Sequence, residues 1–115
     1  MGDGQHIWAA AEWALMVRNC FVREELGRLV IASGVRPEWL RDGPAEFGPT
    51  LTPFGPVTVS VKTGTSGATV AVECQWRGSA PRLEVSLPGF VPQERVAMGA
   101  REEFSLTPSP TPLSP

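Results

Sequence analysis

Three segments of this chain alternate strictly between apolar and polar residues, and no other feature narrows the possible folds as much. Val57, Val59 and Val61 alternate with Thr58, Ser60 and Lys62; Val70, Val72, Cys74 and Trp76 alternate with Ala71, Glu73 and Gln75; Leu83, Val85 and Leu87 alternate with Glu84 and Ser86. Successive side chains of a strand point to opposite faces, so period two predicts strands with one buried and one solvated face. Gly64-Thr65-Ser66-Gly67 and the Gly, Ser and Pro residues before Arg82 separate the segments, which therefore read as consecutive strands of an antiparallel meander. A sheet with one apolar face needs a second layer. The hairpin formed by 21–24 and 28–32 around Glu25-Leu26-Gly27, the segment Glu46 to Leu51 and an N-terminal helix are the sequence's candidates for it. Between them, Val35 to Arg41 reads as a short turn of helix, with Pro37 at its first position and Asp42-Gly43-Pro44 as its stop. Residues 91–104 offer one or two short edge strands.

The helix is predicted over Ile7–Cys20, a run of Ala, Leu, Met and Trp with no Gly or Pro, after a lead of residues 1–6. Its polar residues are Glu12, Arg18 and Asn19, and its large apolar residues lie around most of the circumference. A helix of that kind expects protein on more than one side, while a single small sheet covers one. Trp8, Trp13, Met16 and Val17 are accordingly the candidate docking face. At the other end, the Pro/Ser/Thr run of 107–115 is too polar and too rich in Pro to pack and is expected to be a disordered tail. The predicted fold class is mainly β: an antiparallel β-sandwich over 21–106, preceded by one apolar helix packed on it.

With 115 residues the chain has room for one such domain. Nine Arg and one Lys against twelve Asp and Glu leave a net charge of −2 with no basic stripe, so neither a nucleic acid nor an anionic membrane is an expected partner. The N-terminus has no basic segment of a signal peptide, and Glu12 and Arg18 interrupt the apolar stretch behind it. No secretory address and no membrane span are expected, which leaves the cytoplasm as the default compartment. Cys20 and Cys74 stand outside any ligand spacing and read as two small buried apolar residues rather than a disulfide.

No catalytic constellation can be drawn. His6 is the single histidine, and Asp occurs twice, so a metal centre or a Ser/His/Asp system lacks its members. Glu24-Glu25 and Glu102-Glu103 are adjacent pairs whose members point to opposite faces of a strand; neither pair can converge on one bond, and both read as solvated charge. The glycines around Thr65-Ser66 lack the Lys and the following helix of a phosphate-binding loop. Of the four Trp residues, Trp76 alternates into the core and Trp8 and Trp13 lie on the helix, leaving Trp39 as the near-surface ring. No cofactor is expected.

The order of these features carries a resemblance. His6-Ile7-Trp8-Ala9-Ala10-Ala11-Glu12-Trp13, Met16-Val17-Arg18-Asn19 and Phe21-Val22-Arg23-Glu24-Glu25, followed by Leu29 to Val35, Pro37-Glu38-Trp39-Leu40, Glu46-Phe47-Gly48-Pro49 and Pro81 to Pro88, resemble the C-terminal region of bacterial glycoside-hydrolase-like proteins of the six-hairpin, (α/α)6-toroid type. There a late toroid helix leads directly into a β-sandwich. The resemblance spans roughly residues 5 to 90 and implies a non-catalytic C-terminal accessory module that packs against a helical catalytic domain. It implies further that the acid/base carboxylates belong to the toroid, and that His6 and Trp8 lie near its mouth. The second reading is a stand-alone module that recognises glycan or protein through its solvated sheet face and Trp39, with His6 and Trp39 as candidate ligand contacts. A homodimer through the helix is open, and a free-standing hydrolase ranks last.

Overall fold

The computed structural model describes the backbone of residues 2–110 and the side chains of residues 12–110. In chain order it comprises α1 (Gly2–Phe21), β1 (Val22–Glu25), β2 (Arg28–Ile31), a 3-10 turn (Pro37–Leu40), β3 (Ala45–Thr52), β4 (Gly55–Thr63), β5 (Ala68–Glu73), β6 (Arg82–Val85), β7 (Gln93–Val96) and β8 (Arg101–Leu106). Two four-stranded sheets, ordered β1-β2-β6-β7 and β3-β4-β5-β8, face each other as a sandwich. Every pairing is antiparallel except β2 with β6, where Leu29 lies opposite Leu83 and Ile31 opposite Val85.

The alternation of the sequence is the alternation of burial. Val57, Val59, Val61, Val70, Val72, Leu83 and Val85 are fully buried, and with Leu29, Ile31, Phe104 and Leu106 they form one core between the sheets. β-branched residues dominate it because they pack well on a pleated surface. At the first hairpin, Leu26 and Gly27 both take positive φ, 47° and 78°, the geometry whose twist matches a two-residue connection. Gly34 lets the loop after β2 touch the helix end, since a Cβ there would stand 2.9 Å from Cys20 Cα. The Gly34 and Ala32 amides donate to the Cys20 and Phe21 carbonyls, satisfying groups that a helix C-terminus leaves without partners.

Four sequence expectations change. The third alternating segment does not continue a meander: β6 lies in the opposite sheet, beside β2, and the second edge of β5 is taken by β8. Alternation reports that a strand has one buried face, and both inner faces of a sandwich satisfy it equally. For the same reason the segment from Glu46 belongs to the sheet of β4 rather than to the layer opposite. The helix packs on the sandwich through its last turns alone among the described side chains; it begins at Gly2 rather than Ile7, and residues 12–16 are exposed before burial sets in at Val17. Finally, the first residues of the expected tail are paired. Phe90 bridges Pro108, the Val91 amide donates to the Thr107 carbonyl and the Ser109 amide to that of Gly89; the carbonyl and the amide on either side of Pro108 suffice for edge pairing. Residues 111–115 lie outside the described residues.

Candidate functional site

The site is built where α1 meets the body. Arg18, in the last turns of the helix, donates from Nη2 to Glu24 Oε1 of β1 at 2.6 Å and to the Leu51 carbonyl of β3 at 2.8 Å. One guanidinium thus ties the helix to a strand of each sheet, and it holds the Glu24 carboxyl below the usual carboxylate range. Phe21, the last helical residue, is buried between two rings: Trp39 at 5.9 Å and 17° on one side and Phe47 at 5.4 Å and 14° on the other. Such near-parallel offset pairs are favourable beyond their burial. Beside this stack, Trp13, Val17, Phe21, Trp39, Ala45 and Glu46 line an open groove of about 320 Å³.

Above the groove α1 is bare. Glu12, Trp13, Ala14, Leu15 and Met16 are all exposed, and five consecutive residues exceed the 3.6 of one turn. No azimuth of the helix is therefore buried at that level. Trp13 is 67% exposed and Met16 66%, whereas Val17 packs half-buried against the core. The expected docking residues thus divide into two exposed ones and one that belongs to the helix anchor. His6 and Trp8 fall outside the residues whose side chains are described. Trp39, 38% exposed, has one ring face against Phe21 and helps to line the groove. Leu15, Phe21, Ala45 and Glu46 complete the site; nothing in the linear sequence brings Ala45 and Glu46 to the helix, because a long-range approach of β3 creates that contact.

The remaining surfaces are closed on themselves. On the outer face of the first sheet, Arg23, Arg28 and Arg82 pair with Glu25, Glu84 and Glu94, with Val30 buried beneath them. On the outer face of the second, Arg101 bridges Glu73 and Glu103, and Ser60 donates to Glu46. No aromatic ring stands on either outer face among the described residues. Gln93 and Arg95 of β7 donate to the Ser105 and Glu103 carbonyls along β8.

Glu102 departs from its expected solvation: it is 8% exposed. Its register partner is Val72, so it points between the sheets at their β7/β8 side, where it accepts from the Met98 and Gly99 amides at 2.7 and 2.8 Å and pairs with Arg95. Arg95 in turn lies 3.9 Å over the Phe104 ring. Burial pushes the Glu102 carboxyl up, and the two amides and Arg95 outweigh it, leaving the group below its ordinary range. Trp76 is likewise not a core ring but half-buried, its indole N–H donating to the Gly99 carbonyl. Cys20 and Cys74 are free thiols, and burial pushes that of Cys74 up against the opposing pull of Arg77, which keeps it protonated and unreactive.

Among the described residues no three His, Cys, Asp or Glu side chains gather as a metal site would require, and no helix is long and apolar enough to cross a membrane. Neither a protein-family model, nor a curated protein, nor a solved structure matches the chain. What the described arrangement offers chemically is a contact surface: the exposed apolar stretch Trp13 to Met16 of α1, beside an aromatic groove.

Proposed function

We propose that this chain is a non-catalytic accessory module of a glycoside-hydrolase-like, carbohydrate-active protein, and that α1 completes the helical catalytic domain of that protein, joined to it or bound to it. The observation that carries the reading is the exposure of a full turn of apolar helix at Trp13 to Met16. Each large apolar side chain left in water forgoes roughly 1.5–3 kcal/mol of burial. A flat partner would cover one side of α1; a layer of helices covers several, as the spread of apolar residues around α1 requires. The Arg18 anchor and the Phe21 stack support the same reading, because they fix the angle at which the helix leaves the sandwich.

The test begins with the source DNA beside the coding segment. A stretch that encodes paired apolar helices is expressed with the chain, and hydrogen exchange is followed along α1. Expected are co-purification in equal amounts, slow exchange of residues 2–16 only in the complex, and loss of both with Trp13→Glu. If the amides of α1 in the isolated chain exchange as slowly as those of β4, the helix needs no partner and the proposal falls.

A glycan-binding module is the second reading, favoured by one observation: the two rings Trp13 and Trp39 line the same groove. It requires a saturable change in Trp emission on addition of oligosaccharides, abolished by Trp39→Ala.

A further inference from the structure

We infer that the segment 111–115, beyond the described residues, seats Leu113 in an apolar groove beside the 3-10 turn and so closes one end of the sandwich. That groove shares no residue with the one beside α1, and the inference stands apart from the accessory-module reading.

The groove is a gap in the cover of the core. It measures about 370 Å³, and its buried lining, Val35, Leu40 and Leu87, belongs to the core between the sheets. Pro88 and the half-buried Phe90 extend the apolar wall, while Arg41 and Thr63 supply the polar groups. A concave surface of that make-up suits an apolar side chain.

The path of the chain names the occupant. β8 ends at Leu106, and the residues after it run antiparallel to 89–91: the Val91 amide donates to the Thr107 carbonyl, Phe90 lies opposite Pro108, and the Ser109 amide donates to the Gly89 carbonyl. These three contacts share one register. It puts Pro110 opposite Pro88 and Thr111 opposite Leu87, both of them groove residues. Strand pairing cannot carry the segment further, because the Leu87 carbonyl already accepts from the Phe90 amide and β6 has β2 on one edge and β7 on the other. The chain is thus delivered to the groove's rim at the point where its ladder must stop, and three residues beyond Pro110 reach about 10 Å at most.

Composition names the anchor. Residues 110–115 read Pro-Thr-Pro-Leu-Ser-Pro, with no charged side chain and one large apolar one outside the prolines, Leu113. Pro112 has a fixed φ and holds Thr111 in extended conformations, so the segment gives up less freedom on docking than a chain without prolines would. Because Ser109 is already paired to Gly89, the encounter is intramolecular, and a contact far smaller than a protein–protein interface suffices.

Nuclear magnetic resonance of the full chain with labelled methyl groups tests this. Expected are cross-peaks from the Leu113 methyls to those of Val35 or Leu40. Leu113→Asp should abolish them, shift resonances of the groove residues alone, and lower the thermal midpoint by about 4 °C. Leu113→Met, which conserves volume, should keep the parent's midpoint. Ser114→Asp, which adds the same charge one residue further on, should leave both the cross-peaks and the midpoint unchanged. Circular dichroism verifies that the variants fold. No cross-peak from Leu113 to any groove residue, or a Leu113→Asp chain that melts with the parent, overturns the inference. So do cross-peaks that arise only between differently labelled chains, which place the segment in a second copy's groove.

Discussion

Glu102 is the residue on which the β7/β8 side of the sandwich depends. Its carboxylate satisfies two amides and one guanidinium, and hydrogen bonds to an ion exceed neutral ones in strength. Glu102→Ala removes the acceptor of the two amides and leaves Arg95 with the Glu103 carbonyl alone; it is expected to cost about 1–3 kcal/mol, read as a lowered urea midpoint with an unchanged slope. The pH dependence follows from the direction of its pKa. The folded value lies below the unfolded one, so the stabilisation is fully present above the unfolded value near about pH 4.3 and disappears as pH falls through the folded value. Between about pH 7 and pH 3 the variant should therefore lose less stability than the parent. At the first turn, Leu26 holds a φ of 47° with its side chain 99% exposed, a conformation that costs a leucine strain and returns no burial. Leu26→Asn, which keeps the turn and removes much of that cost, is expected to raise the thermal midpoint by the equivalent of about 0.5–1 kcal/mol. Gly34→Ala has the opposite sign, because the new methyl meets Cys20 backbone; a loss of about 1–3 kcal/mol is expected in the same melt.

The elements divide into those that the sequence determines locally and those that distant contacts decide. Existence and type belong to the first group: alternation at Val57 to Lys62, the Ala-rich run after Ile7 and Pro37 each dictate their element from their own neighbours. Pairing belongs to the second. Nothing in Leu83-Glu84-Val85 distinguishes a neighbour of β5 from a neighbour of β2, since both positions bury the same two side chains. The site follows the same division. Trp13 and Met16 were legible as exposed apolar helix residues, whereas the groove needed β3 to bring Ala45 and Glu46 alongside; Glu102 shares the inward parity of Phe104 and Leu106, but Arg95 of β7 and the Met98 and Gly99 amides that allow a carboxylate to be buried there lie outside its strand. Arg18 shows how elements are then joined: its contacts with Glu24 and Leu51 are the polar link between α1 and both sheets. Arg18→Ala should cost about 1 kcal/mol of global stability and, more diagnostically, speed hydrogen exchange in the last two turns of α1 while that of β4 and β5 changes little.

At the scale of the whole molecule the two sheets are unequal in how the chain assembles them. β3, β4 and β5 follow one another and pair in sequence order, so most of their sheet closes through short turns. The other sheet is made from the two flanks of that segment: β1 and β2 precede it, β6 and β7 follow it, and the parallel pairing of β2 with β6 spans the fifty residues from 32 to 81. A break in the connection between Glu73 and Arg82 would therefore leave each fragment with strands of both sheets and a complete version of neither. As the chain emerges from a ribosome, Leu29 and Ile31 wait for Leu83 and Val85 through the synthesis of β3, β4 and β5, and the hairpin that presents them is too small to be stable alone. Within this domain the apolar side chains of β2 are thus made well before the strand that covers them, which places the demand for chaperone protection in the interval before β6 is synthesised.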